Sequence, residues 1–187
     1  DELKRLGIHI EDVSIPMSEY CVPLYYITAP SETSSNLARY DGIRFGNERK
    51  YFTKETMRRI MTGTYALSSG YYDAYYRKAQ KARTVFIKKY HALLSKYDAL
   101  LMPVMPTSAT KLGQLLDDPV KNMLIDIYTV LVNIIGVPSL ALPCGFTKNT
   151  LPIGMQLVGR MFSEDTLLRM GHAYQQKTDW HTRVPKL

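Results

Sequence analysis

The sequence predicts an α/β layered fold, and two observations carry that expectation. Four short apolar runs bounded by Gly, Pro or Asp read as strands buried on both faces: Ile8 to Ile15, Ala99 to Val104, Ser139 to Pro143 and Ile153 to Val158. Helical patterns lie between most of them, and this alternation points to layers rather than a bundle. With 187 residues, 45% apolar and 22% charged, the chain has the material for one substantial core.

The opening "DELKRLG" reads as the end of a helix and a turn at Gly7, before the run from Ile8. With no initiator Met and a start inside structure, the chain reads as a piece of something longer; a basic stretch followed by an apolar one, as in a signal peptide, is not there. The next predicted helix covers Phe52 to Ser68, with Thr53 as N-cap and Met57, Ile60, Met61 and Tyr65 as its packing face. Arg58 and Arg59 are neighbours on it, about 100° apart, and so are expected not to share a role. At least one should leave the solvent face. A guanidinium matches a carboxylate bidentately, which makes one of the pair a candidate clamp.

A long helix is predicted from Gly70 to Tyr97, with Tyr72, Tyr76, Ala79, Phe86, Tyr90, Leu93 and Tyr97 on one seam and Arg77, Lys78, Lys81, Lys88 and Lys89 on other faces. That seam gives the tyrosines of "SSGYYDAYY" a packing role and argues against base stacking, for which aromatics sit on strands. In "DDPVKNMLIDIYTVLVNIIG", Asp118 suits an N-cap, Pro119 the first helical position and Gly136 the C-terminal cap. This helix is apolar around most of its girth and is expected to be buried, yet Asn122, Asp126, Thr129 and Asn133 fall in one polar stripe. A buried carboxylate wants a cation or several donors, so Asp126 is either a structural cap or salt bridge, or the partner of a ligand ammonium. The last helix, Ser163 to Lys177, places acids at its positive end and is expected to pack Leu167, Leu168, Gly171 and Tyr174.

The net charge of +7 concentrates between Arg77 and Lys96, where a solvated helix face and a polyanion-binding face are both open. Cys21 and Cys144 read as two core cysteines in a reducing compartment. The longest apolar run carries Asp126 and Asn133, so no membrane span is expected. No nucleophile with its base, no metal-ligand spacing and no phosphate-binding glycine loop is found, so no catalytic residue and no metal ligand is expected in this chain.

Taken together, "YYITAPSETSSNLARYDGIRFG", "RRIMTGTYALSSGYYDAYYRKAQKARTVF", "IYTVLVNIIGVPSLALPCGF" and "PIGMQLVGRMFSEDTLLRMGHAYQQ" closely resemble the C-terminal part of the A subunits of glutamyl-tRNA(Gln) amidotransferases, in the amidase signature family. The resemblance implies that residues 1–187 are one partial domain, the C-terminal portion of an α/β/α layered fold with a mixed central sheet. It also implies a glutaminase whose serine, cis-serine and lysine belong to an N-terminal half of the same domain. Ammonia released from glutamine serves conversion of Glu-tRNA(Gln) on a B subunit, with a small C subunit in support. No cofactor is implied for this chain, ATP and Mg being used by the partner subunit, and the location implied is the cytoplasm or an organelle matrix.

By position in the matching motifs, Arg59 is similar to the residue that holds the glutamine α-carboxylate, Asp126 to the one that holds its α-ammonium, and Tyr25 to a further pocket contact. Tyr71 and Tyr75 are left facing either the glutamine pocket or the B subunit. The family usually has a longer segment with a Gly-Phe-Gly turn between "GIRFG" and "RRIM", where this chain has only "NERKYFTKETM". Two other readings stand beside this one: an amidase independent of tRNA, and a basic tRNA- or partner-binding module. A severed sheet is expected to expose an apolar edge and to associate through it.

Overall fold

Residues 2–15, 17–113 and 119–184 are described by a computed structural model, in which the chain divides into two compact units, Tyr20–Phe86 and Asp1–Glu19 with Ile87–Leu187. In the second of these, a short helix α1 (Glu2–Arg5) precedes the turn at Gly7.

The unit Tyr20–Phe86 is built on helices α2 (Cys21–Leu37) and α3 (Lys54–Leu67). Thr53 caps α3 as its sequence predicts, its side chain accepting from the Thr56 N–H. The packing face of α3 differs from the predicted one: Met57, Met61 and Tyr65 are exposed, and the buried residues are Gly63 and Ala66. Small residues win that face because α2 comes too close for large ones. A Cβ on Gly63 would stand 1.9 Å from the Pro30 carbonyl oxygen.

Along this seam Arg59 meets Tyr25, Gly63 meets Pro30, and Thr64 bonds Ser34 through their hydroxyls at 2.8 Å. The pairs advance together, so α2 and α3 run parallel, and residues 38–53 must carry the chain back along α2, about 25 Å for a helix of this length. Fully extended, that return segment reaches on the order of 50 Å, so the short connection is long enough. It lies on the surface, with Ile43 and Phe45 almost fully exposed.

Residues 73–77 form one turn of π-helix that leads into α4 (Lys78–Leu94). Ala79, Phe86 and Tyr90 of the expected seam are buried and Lys78, Lys81, Lys88 and Lys89 stay exposed, whereas Leu94 is buried in place of the expected Leu93 and Tyr72 is half exposed against Tyr76.

In the other unit the described residues form a sheet of three strands, β1 (Leu100–Pro103), β2 (Ser139–Phe146) and β3 (Pro152–Val158), in the order β1-β3-β2 with both pairings antiparallel. Only the central strand is buried on both faces, Met155 to Val158 without interruption; β1, at an edge, alternates and leaves Leu101 exposed. Residues 8–15 do not form the predicted strand. Among the described residues they pair with no neighbour, and Ile8 and Ile10 instead pack half-buried against the cluster of Leu3, Leu142, Met155, Leu157, Leu167 and Tyr174.

The predicted helix from Asp118 to Gly136 is two helices, α5 (Pro119–Ile125) and α6 (Ile127–Ile135), interrupted at Asp126; the Asp118 cap lies outside the described residues. Among the described residues of this stretch, Val130, Leu131, Ile134 and Ile135 are buried while Leu124 is exposed, so the expected all-round burial does not hold. Gly136 closes α6 in the left-handed conformation, φ 70°, its N–H bonding the Val132 carbonyl. Helix α7 (Glu164–Gln175) packs Leu167, Gly171 and Tyr174 as expected but turns Leu168 to solvent. Cys21 is fully buried and Cys144 half-buried, where burial pushes its thiol up. Among the described residues no helix is long and apolar enough to cross a membrane.

Candidate functional site

The site is assembled by the first two turns of α3 and the facing side of α2. Glu55, one residue into α3, lies three and four positions before Arg58 and Arg59, the spacing at which helix side chains meet. Its carboxylate accepts from both. Arg58 gives it a fork, Nε to Oε2 at 2.9 Å and Nη2 to Oε1 and Oε2 at 2.9 and 2.7 Å, and Arg59 adds Nε to Oε1 at 2.8 Å. The two arginines therefore share a partner, contrary to the expectation from their 100° offset. The reason is side-chain length: both stems lean back toward the start of the helix, where Glu55 is central to them.

The other end of Arg59 points to α2. Its Nη1 donates to the Tyr25 hydroxyl at 3.4 Å, and its guanidinium carbon stands 6.0 Å from the ring centre of Tyr26. Tyr25 and Tyr26 meet edge to face at 5.2 Å, so the arginine leans on a small aromatic wall.

Electrostatics agree with this geometry. The hydrogen bond from Arg59 holds the Glu55 carboxyl below its ordinary range, against partial burial that would raise it, with Arg58 adding to the lowering. The bond to Glu55 in turn raises Arg59, again against burial. One carboxylate between two guanidiniums leaves a net positive charge, so the cluster can accept a further carboxylate.

The structure thus brings Arg59 and Tyr25 together. Asp126 belongs to the other unit, half-buried at the break between α5 and α6. Its backbone carbonyl accepts from the N–H groups of Thr129 and Val130 and from the Thr129 hydroxyl, the pattern that starts α6. Thr129 is half-buried with it, whereas Asn122 and Asn133 are exposed; the expected buried stripe reduces to its two central members.

The serine-rich stretch "SETSSN", residues 31–36, makes its bonds within its own unit. It lies in α2, where the buried Ser31 bonds the Ile27 carbonyl at 2.7 Å and Ser34 bonds Thr64. Tyr65, Tyr71 and Tyr75 form a partly exposed aromatic group, with Tyr65 and Tyr71 ring centres 4.4 Å apart. Sequence reading missed Glu55, although its i+3 and i+4 spacing to the two arginines was a signal, and Tyr26, for which no signal was present.

Comparison with known proteins places this geometry in context. The amidase family model matches residues 1–168. Curated relatives that carry the name of the A subunit of glutamyl-tRNA(Gln) amidotransferase include those of Brevibacillus brevis, 48% identical over 99% of this chain, and Desulfatibacillum aliphaticivorans, 47% identical over 99%. The chain spans 41% of the length of each, in the C-terminal part. The crystal structure of the protein of that name from Thermotoga maritima superposes with a TM-score of 0.74 at 40% identity, over 95% of this chain and 36% of that one. A 6-aminohexanoate cyclic dimer hydrolase, 17% identical, shares the fold with a TM-score of 0.75.

Proposed function

The chain belongs to the amidase family, and from that premise we propose that it is the glutamine-binding part of the glutaminase subunit of a tRNA-dependent amidotransferase. The observation that carries this is the Arg59 guanidinium, anchored through Nε by Glu55 and set beside the Tyr25 hydroxyl, on an arginine pair that keeps a net positive charge. Such a group suits the α-carboxylate of an amino acid, end-on to the terminal nitrogens. The Tyr25 hydroxyl, which accepts from Arg59, keeps its own proton to donate to the same carboxylate. Asp126 supplies the complementary charge for the α-ammonium. Binding both α-groups orients the side-chain amide, which is how contacts remote from the reacting bond contribute to rate.

In this reading the serines and lysine of the reaction belong to an N-terminal half, so the chain alone releases no ammonia from glutamine. Its partners are that half, the B and C subunits and, through the complex, Glu-tRNA(Gln). The cofactors of the overall conversion, ATP and Mg, act on the B subunit, and the setting is the cytoplasm or an organelle matrix. The test is Arg59→Ala in the subunit restored to the length of its relatives. The KM for glutamine should rise by about two orders of magnitude, in keeping with the loss of a bidentate charged contact. An unchanged KM would remove the amino-acid clamp and leave an amidase that acts on simpler amides.

A further inference from the structure

We propose that Glu55 is a positioning residue for ligand recognition: clamped by Arg58, it fixes Arg59 so that the terminal guanidinium nitrogens face an incoming carboxylate. This rests on the reading of Arg59 as the carboxylate clamp, and adds what makes that clamp work.

Three features of the cluster support it. First, Glu55 engages Arg59 at Nε, the inner nitrogen, while Nη1 reaches the Tyr25 hydroxyl. A carboxylate that took both terminal nitrogens would compete with the ligand; one that takes Nε leaves the outer edge for it. Second, Arg58 spends its fork on Glu55 through three contacts. Were Glu55 paired with Arg59 alone, the two charges would cancel and the attraction for an anionic ligand would fall. With Glu55 shared between Arg58 and Arg59, the cluster keeps one net positive charge for an anionic ligand.

Third, the cluster is a weak candidate for a purely stabilising role. The side chains of Glu55, Arg58 and Arg59 are 44%, 39% and 30% exposed, and ion pairs at such positions contribute little to folding. What the contacts do accomplish is to remove rotamer freedom from a long side chain before the ligand arrives, so that less is lost on binding. The lowered Glu55 carboxyl keeps this arrangement charged throughout the neutral range.

The test uses the subunit restored to relatives' length, with glutamine and its α-amide, in which a neutral group replaces the α-carboxylate. Glu55→Gln should raise the KM for glutamine about tenfold, the size of one charge-assisted hydrogen bond, with kcat within about twofold. For the α-amide, KM should not move. Combining Glu55→Gln with Arg59→Ala should cost no more than Arg59→Ala alone. If the two factors multiply, or if the α-amide suffers as much as glutamine, Glu55 does not act through Arg59 and the proposal is overturned.

A second measurement separates this from the clamp itself. The Nε–H of Arg59 should give a slowly exchanging side-chain NMR signal that Glu55→Gln abolishes. A signal that survives the substitution refutes the positioning role whatever Arg59 binds. An unchanged KM in Arg59→Ala together with loss of the signal in Glu55→Gln refutes only the clamp.

Discussion

Gly63→Ala tests the seam between α2 and α3 and the site at once. The new methyl carbon would lie 1.9 Å from the Pro30 carbonyl oxygen, 2.4 Å from its carbon and 2.8 Å from the Ser34 Cβ. A carbon needs about 3.3 Å from a carbonyl oxygen, so the helices must part by roughly 1.4 Å. The obstacle is backbone, which cannot swing aside as a side-chain tip does. Overpacking of this kind costs about 1–3 kcal/mol, and a backbone obstacle puts it at or beyond the upper end. Alanine returns about 1 kcal/mol of helix propensity, leaving a net loss near 2 kcal/mol. For a chain of this length that is a fall in Tm of about 4–8 °C, measured by circular dichroism at matched concentration.

The same displacement acts on recognition. Arg59 lies one turn before Gly63, and its bond to the Tyr25 hydroxyl, at 3.4 Å, has no slack to absorb another ångström. In the restored subunit the KM for glutamine should therefore rise as stability falls, while Thr62→Ala, on the exposed side of α3, should change neither. Wild-type stability in Gly63→Ala would show that the helices separate at no cost, and the seam would lose its place in the account of the site.

Two further outcomes follow from groups away from the clamp. Gln156, 3% exposed, donates to the carbonyls of Pro103 and Tyr128 and accepts from the Ser139 hydroxyl, so it ties β1, β2 and the start of α6 to β3. Gln156→Leu leaves those partners unpaired and should cost about 2–4 kcal/mol in a denaturant titration; a loss under 1 kcal/mol would mean the network is replaceable. Tyr65 is pushed up to about 12 from 10.0, first by its hydrogen bond with Tyr71 and then by burial. The folded state thus favours the neutral phenol, and its contribution to stability is complete below pH 10 and is lost as the pH rises towards 12. Phenolate absorbance in Tyr71→Phe should show one tyrosine titrating earlier than in the parent; superimposable curves would contradict the coupling.

What could be read from sequence was what local chemistry decides. Thr53 caps α3 and Gly136 ends α6 because a cap depends on a few adjacent residues. Helix α2 was not anticipated: Pro30 and the run from Ser31 to Ser35 disfavour a helix locally, and packing against α3 overrides them. The same contact explains the misjudged face of α3, since a periodicity search rewards Met57, Met61 and Tyr65 and ignores Gly63. Residues 8–15 carry strand-like alternation, but pairing needs a neighbour, which no local pattern reports. At the site, matching motifs named Arg59 and Tyr25 one by one, and the bond between them, 34 positions apart in the chain, is visible only in the fold. Glu55 was legible as a spacing and was overlooked.

Pro30 has a consequence for how this unit opens. A proline brings no N–H to the helical ladder, and in α2 it sits at the centre, far from the first turn where such a donor is dispensable. A helix so interrupted is a poor autonomous unit and depends on its neighbour for persistence. The amides of α2 should therefore exchange with solvent at the rate at which it leaves α3, with no slower sub-global step of its own. On that view Tyr25 is only as ordered as the contact at Gly63, and the lifetime of the closed seam sets an upper limit on how long the site stays assembled between ligands.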